Sequence, residues 1–80
     1  MHLKIIGAEQ LIYEGDIYGL KCRAIDGEVM CLDKHADYLS VIPKGDVTLY
    51  DYKDHNKQEK ITLKKDFILL IEDNNAVLLN

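Results

Sequence analysis

Apolar residues in this chain come in short runs: Leu3-Lys4-Ile5-Ile6, Leu11-Ile12-Tyr13, Ile17-Tyr18, Val29-Met30-Cys31-Leu32, and the segments 38–42, 47–52, 61–63, 67–71 and 76–79. Gly, Asp, Asn and the single Pro separate them. Runs of roughly four to eight residues bounded in this way read as strands. No window of helical length keeps an i, i+3, i+4, i+7 stripe clear of such breakers. Turn signals recur every eight to twelve residues or so, the spacing of an all-β sandwich or barrel. There is no internal repeat, linker or low-complexity segment.

Three turns have definite physical content. Asp26-Gly27 supplies positive φ for a two-residue hairpin, which places Ile25 opposite Glu28 and, counting outward, Cys22 opposite Cys31. The clusters Asp54-His55-Asn56-Lys57 and Glu72-Asp73-Asn74-Asn75 read as hairpin loops, because Asn and Asp bond their own backbone and tolerate left-handed geometry. Pro43-Lys44-Gly45 fixes φ at one end and frees it at the other, reversing the chain between 38–42 and 47–52.

One run breaks the pattern. A half-buried strand alternates apolar and polar residues, yet Phe67-Ile68-Leu69-Leu70-Ile71 is apolar on both faces. The second face needs a cover, either from another molecule or from loops and the second sheet of the same domain.

Eighty residues make one domain, 1–80, of a size that buries only roughly 60% of its unfolded surface. The composition, 48% hydrophobic and 30% charged, is that of a folded chain. A net charge of −4 opposes a nucleic-acid footprint, which needs basic residues concentrated on one face. Met1-His2 runs directly into a strand-like segment with no signal-peptide pattern, so secretion is not expected. The longest apolar runs fall far short of the roughly 20 residues of a membrane helix. Membrane association is therefore expected only through a partner.

The candidate chemistry is sparse. Cys22 and Cys31 form neither a C-x-x-C redox motif nor half of a finger-like zinc set; they read as small apolar core residues, reduced in a cytosolic protein. His35 between Asp33 and Asp37 invites an acid/base or metal role, but no Ser or Cys nucleophile accompanies it in a recognisable motif. A hydrogen-bonding residue at a turn is the plainer account. His2 is terminal and His55 loop-borne. No G-x-x-x-x-G-K-[ST] loop is present, and no catalytic residue, metal ligand or cofactor is assigned.

The order of signposts along the chain resembles the N-terminal domain of the epsilon subunit of F-type ATP synthases. Leu3-Lys4-Ile5-Ile6 and Ala8-Glu9-Gln10 look like its opening strand and turn, and Leu11 to Gly15 like its second strand. Gly27-Glu28-Val29 looks like its Gly-Glu-apolar step, His35-Ala36 like its His-Ala pair with Leu39 as a following core residue, and Pro43 to Val47 like its Pro-Gly turn. Phe67-Ile68, Leu70 and Val77-Leu78 look like its last hairpin. The family usually has Gly where Met30 stands, Pro-Gly at Asp33-Lys34, Pro at Asp37 and Ser-Gly-Gly at 64–66.

The resemblance implies a β-sandwich of about ten short, mainly antiparallel strands. It implies a non-catalytic central-stalk subunit that couples c-ring rotation to ATP synthesis, docked on the gamma subunit and the c-ring at the cytoplasmic face of a bacterial plasma membrane. The partner-binding positions it carries over are Gly27, Glu28, Val29, His35 and Ala36. Family members commonly add a C-terminal helical hairpin; this sequence stops at Asn80, so that part is expected to be missing. Two other readings stand beside it: a free-standing β-sandwich that binds a peptide or small ligand, and a small metal-dependent or redox enzyme using Cys22, Cys31 and His35.

Overall fold

The computed structural model of the chain describes residues 1–80. Every regular element is a strand: β1 (His2–Ile6), β2 (Leu11–Ala24), β3 (Gly27–Leu32), β4 (Tyr38–Ile42), β5 (Gly45–Asp51), β6 (Gln58–Leu63), β7 (Phe67–Glu72) and β8 (Asn75–Leu79). The all-β expectation holds, with eight strands rather than about ten. The runs at 11–13 and 17–18 are one strand, because Gly15 and Gly19 sit inside β2 rather than ending it.

β2 is fourteen residues long and belongs to two sheets. Its first part pairs with β1, from Leu11 to Asp16, and its second part pairs with β3 and β5. The first sheet runs β4-β7-β8-β1-β2, and the second carries β3, the end of β2, β5 and β6. All pairings are antiparallel except β1 with β8. The core between the sheets contains Leu3 and Ile5 from β1, Ile17, Leu20, Cys22 and Ala24 from β2, and Phe67, Leu69 and Ile71 from β7, with Met1, Cys31, Ile42, Val47, Leu49, Leu63, Ala76 and Leu78 completing it.

A strand that changes sheets must change which residues it turns inward. Opposite β5, Ile17 pairs with Asp51 and Gly19 with Tyr50, so Tyr18 is one residue too many. This bulge shifts the inward set of β2 from Ile17 to Leu20, Cys22 and Ala24. The irregular backbone is satisfied locally: Ile17 N–H donates to the Met1 carbonyl at 2.8 Å, and the Tyr18 carbonyl accepts from Asp33 N–H at 2.6 Å. Gly19 lies so close to β3 that an added Cβ would stand 3.0 Å from the Cys31 carbonyl oxygen and 2.8 Å from Leu32 Cδ2.

The β2–β3 hairpin differs by one step from the sequence expectation. Its loop is Ile25-Asp26, with Ala24 opposite Gly27 and Arg23 opposite Glu28. Gly27 takes φ 133° as the residue that follows the turn, a position Gly also favours. Cys22 therefore faces Val29, and Cys31 faces Leu20. The two thiols do lie on neighbouring strands, but diagonally rather than directly opposed. The β7–β8 loop behaves as expected, with Asp73 and Asn74 at φ 51° and 62°, the two left-handed residues of a tight hairpin. In the β5–β6 loop the Asp51 carboxylate accepts the N–H groups of Lys53 and Asp54 at 3.0 and 2.9 Å. These bonds hold its pKa below the usual carboxylate value, the one from Asp54 most strongly.

The approach at Gly19 generates a test. Gly19→Ala forces a carbon against a carbonyl that cannot rotate away, and should cost about 1–3 kcal/mol by analogy with overpacked cores. Urea denaturation of the variant should show the midpoint falling at an unchanged m-value. An unaltered midpoint would mean that the two strands part without cost.

Candidate functional site

The second face of β7 is bare. Phe67, Leu69 and Ile71 turn into the core, while Ile68 and Leu70 face outward at 49% and 43% exposure. Register assembles their neighbours into two rows. Leu39 of β4, Leu70 of β7 and Val77 of β8 form one; Val41, Ile68 and Leu79 form the other. Across the parallel β8–β1 pair the first row ends at Lys4, whereas the second continues to Ile6. Nothing within the chain covers this surface.

Leu39 corrects a sequence expectation: it is 68% exposed, not a core residue. The phase of β4 is set by Ile42, which is buried opposite Phe67. Counting back from Ile42 puts Ser40 and Tyr38 inward, and Leu39 and Val41 outward.

One end of the sandwich is polar and tightly bonded. Asp33 accepts from Asn74 Nδ2 at 3.0 Å and pairs with the Met1 ammonium. The ammonium first, and then Asn74, lower its pKa. Lys34 N–H donates to Asn74 Oδ1 at 2.7 Å, and Asp73 N–H to Asp37 Oδ1 at 3.3 Å, so the 33–37 loop is fastened to the β7–β8 turn. Lys34 is left-handed, φ 64°, at the position where the resembled family has Gly. His35 Nδ1 lies 2.6 Å from the carbonyl of Ala36, and the ring meets Tyr38 edge-on at 6.0 Å. The Asp33 and Asp37 carboxylates thus have partners other than His35, which serves its own turn.

The sequence-derived partner positions do not converge on one spot. Gly27, Glu28 and Val29 are the first half of β3, and His35 and Ala36 follow its end, so the second half of the strand, about 10 Å, and the start of the next loop separate the two groups. Glu28 is exposed, and Val29 packs against the core. β3 pairs only with β2, which makes the whole 27–36 segment one margin of the second sheet. Cys22 and Cys31 are buried, and burial raises both thiol pKa values, that of Cys22 to about 11 with a further push from Cys31. Such thiols are poor nucleophiles and poor metal ligands.

Sequence reasoning missed His2. Its Nδ1 lies 2.9 Å from Asp16 Oδ1 and its Nε2 2.9 Å from Glu14 Oε2, with Lys4 Nζ 3.9 Å from the same Glu14 oxygen. A neutral imidazole has one donor and one acceptor, so only the doubly protonated ring satisfies both carboxylates. The bond to Asp16, followed by that to Glu14, raises the His2 pKa. The one-residue spacing of Glu14 and Asp16 carried the signal, since alternate residues of a strand share a face.

The family model for the ATP synthase delta/epsilon chain β-sandwich domain matches residues 1–79. A comparison with curated proteins finds no match. Among solved structures the fold is similar to a chain of the Euglena gracilis mitochondrial ATP synthase, in its cryo-EM structure of OSCP, F1 and c-ring in rotational state 1. The TM-score is 0.84 at 12% identity, covering 98% of this chain and 48% of that one. A chain of the Tetrahymena thermophila mitochondrial ATP synthase, from the central stalk and c-ring, gives 0.78 at 11% identity, covering 98% and 60%. At these identities the likeness is one of fold. The chain spans about half to three fifths of the length of these two.

Two measurements check the polar end. Lys34→Gly removes a left-handed Cβ, which outweighs the extra freedom gained by the unfolded chain, and should raise stability by up to about 1 kcal/mol; a fall in thermal midpoint would contradict the strain. The His2 cluster stabilises fully below the unfolded imidazole value of 6.5 and loses its contribution as pH rises through the raised folded value. NMR titration of the His2 ring should therefore give a pKa above 6.5 that drops in Asp16→Asn; an identical titration in both proteins would refute the pairing.

Proposed function

Because the chain belongs to the ATP synthase delta/epsilon-chain β-sandwich family, we propose that it is a non-catalytic central-stalk subunit of a proton-translocating F-type ATP synthase. In this role it couples rotation of the c-ring to ATP synthesis. It sits peripherally at the cytoplasmic face of a bacterial plasma membrane, held there by the complex.

The observation that carries this reading is the uncovered aliphatic face of the first sheet. Surfaces of this kind mark interaction sites when contiguous, and here Leu39, Val41, Ile68, Leu70 and Leu79 are all exposed on neighbouring strands. In a stalk the gamma subunit covers that face. The margin formed by Gly27, Glu28 and Val29, β3, and His35 and Ala36 faces the polar loops of the c-ring. Glu28 pairs there with basic groups of the loops, and His35 shapes the turn at the other end of the strand. The two similar solved chains support the assignment, since both come from ATP synthase assemblies that include the c-ring.

Retention on gamma-containing membranes, compared with the thermal midpoint of each isolated variant, tests both surfaces. Leu70→Asp sits on an exposed position and should leave the fold within about 0.5 kcal/mol. Buried at an interface it should weaken retention about tenfold or more. Glu28→Lys should weaken retention more than Asp54→Lys, in the β5–β6 loop, by setting like charges together. Full retention of Leu70→Asp would remove the aliphatic face from the stalk, and equal retention of the two charge reversals would remove the 27–36 margin.

A further inference from the structure

The outer face of the second sheet is polar across β2, β5 and β6, with Met30 and Leu32 exposed on the β3 side. The β2–β5 ladder ends at Lys21 opposite Thr48, although β2 runs on to Ala24 and β5 begins at Gly45. Beyond that pair β2 continues with β3 and β5 with β6, and the two strands part. Their facing backbone edges have no ladder partner there, and the β2 edge is next taken up just past the strand, where Ile25 N–H donates to the Val41 carbonyl at 3.1 Å. The wedge between them opens into a concavity of about 430 Å³ lined by Lys21, Arg23, Lys44, Thr48 and Lys60, with Glu28 and Asp46 on the same wall.

Register fixes the spacing of the charges. Lys21, Thr48 and Lys60 lie side by side on three adjacent strands, so the two lysine Cα atoms stand about 10 Å apart with the Thr48 hydroxyl between them. Arg23 follows Lys21 two residues along the same face. None of the four cations is used internally, because the ion pairs of the chain belong to Met1, His2 and Lys4. Of the two acids, Asp46 already accepts the Thr62 hydroxyl at 2.7 Å. What marks the wedge is that four cations converge on it in a chain of net charge −4; their lack of ion-pair partners is shared by the lysines elsewhere.

We propose that this wedge binds a short oligophosphate anion, with Lys21 and Lys60 holding its two ends, Arg23 and Lys44 closing over it, and Thr48 donating from the floor. Ammonium and guanidinium groups form short, charge-assisted bonds to phosphate oxygens. A chain of two or three phosphates carries enough charge and enough oxygen atoms to engage all four cations at once, which a single phosphate does not. No aromatic side chain lines the wedge, so a nucleoside attached to the phosphates has nothing to stack on. The site is separate from the aliphatic face, and it touches the proposed c-ring margin only at Glu28.

Titration of the isotopically labelled chain with inorganic pyrophosphate and tripolyphosphate, followed by amide NMR, tests it. Saturable shifts are expected at residues 21–24, 45–48 and 60, with sulfate at matched ionic strength giving none. The double variant Lys21→Gln/Lys60→Gln should bind about tenfold more weakly or worse, while Lys53→Gln in the β5–β6 loop binds like the parent. Thermal midpoints near that of the parent show that the variants are folded. ADP should bind no more tightly than pyrophosphate. Unsaturable or sulfate-like shifts, unchanged binding by the double variant, or binding of ADP without binding of pyrophosphate would each overturn the proposal.

Discussion

The architecture depends on how one strand serves two sheets. β2 must pair with β1 on its way in and with β3 and β5 on its way out, turning apolar residues toward the same core throughout. A regular strand cannot do this, because its side chains keep a fixed alternation while the sheet it belongs to changes. The extra residue at Tyr18 resolves the conflict. It also explains why surrounding features cluster there: Met1 and Asp33 supply the backbone partners that the bulge loses, His55 stacks on the Tyr18 ring at 3.4 Å, and Gly19 makes room for β3. The N-terminus, two loops and a close strand contact are all consequences of one inserted residue.

The two outer faces then acquire different roles from the same alternation. Outward positions of β4, β7 and β8 are mostly aliphatic, while the outer face of the second sheet carries Lys21, Arg23, Asp46, Thr48, Lys60 and Thr62, with Met30 and Leu32 exposed along its β3 margin. A small domain has no third layer with which to cover an aliphatic face, so that face calls for a partner and the polar one tolerates water. The buried side chains are ordinary core, and the thiols among them are too basic to react. What is specific about the molecule lies on its outside.

Much of this was legible in the residues, and the failures share a cause. The run Phe67 to Ile71 declared its two apolar faces, and Asp73-Asn74 declared a tight hairpin, because each signal is local. Asp26-Gly27 was ambiguous, since Gly serves both as the second central residue of one turn and as the residue following another; neighbouring packing chose the latter and moved Cys22 by two positions relative to Cys31. Gly15 and Gly19 looked like breakers, although Gly15 leaves room for the Tyr13 ring of its own strand and Gly19 for β3. Leu39 looked like core because hydrophobicity does not reveal phase, which Ile42 fixes from the far end of the strand. The wedge between β2 and β5 was invisible, as Lys21 and Lys60 come together only through a ladder spanning three strands.

The parallel pairing of β1 with β8 has a bearing on how the chain comes to be folded. β1 stands inside the first sheet, between β2 and β8, so during synthesis its bonds cannot be completed until β8, about seventy residues later in the chain, has followed. At about 5–20 residues per second that is a wait of seconds, during which Leu3 and Ile5 have neighbours on one side only. The second sheet, by contrast, is joined through sequential hairpins and a nearby ladder, and it can form while synthesis continues. The nascent molecule is therefore a half-sandwich with an open strand edge and an unfinished aliphatic surface, and its vulnerability to wrong partners is greatest just before the final hairpin closes it.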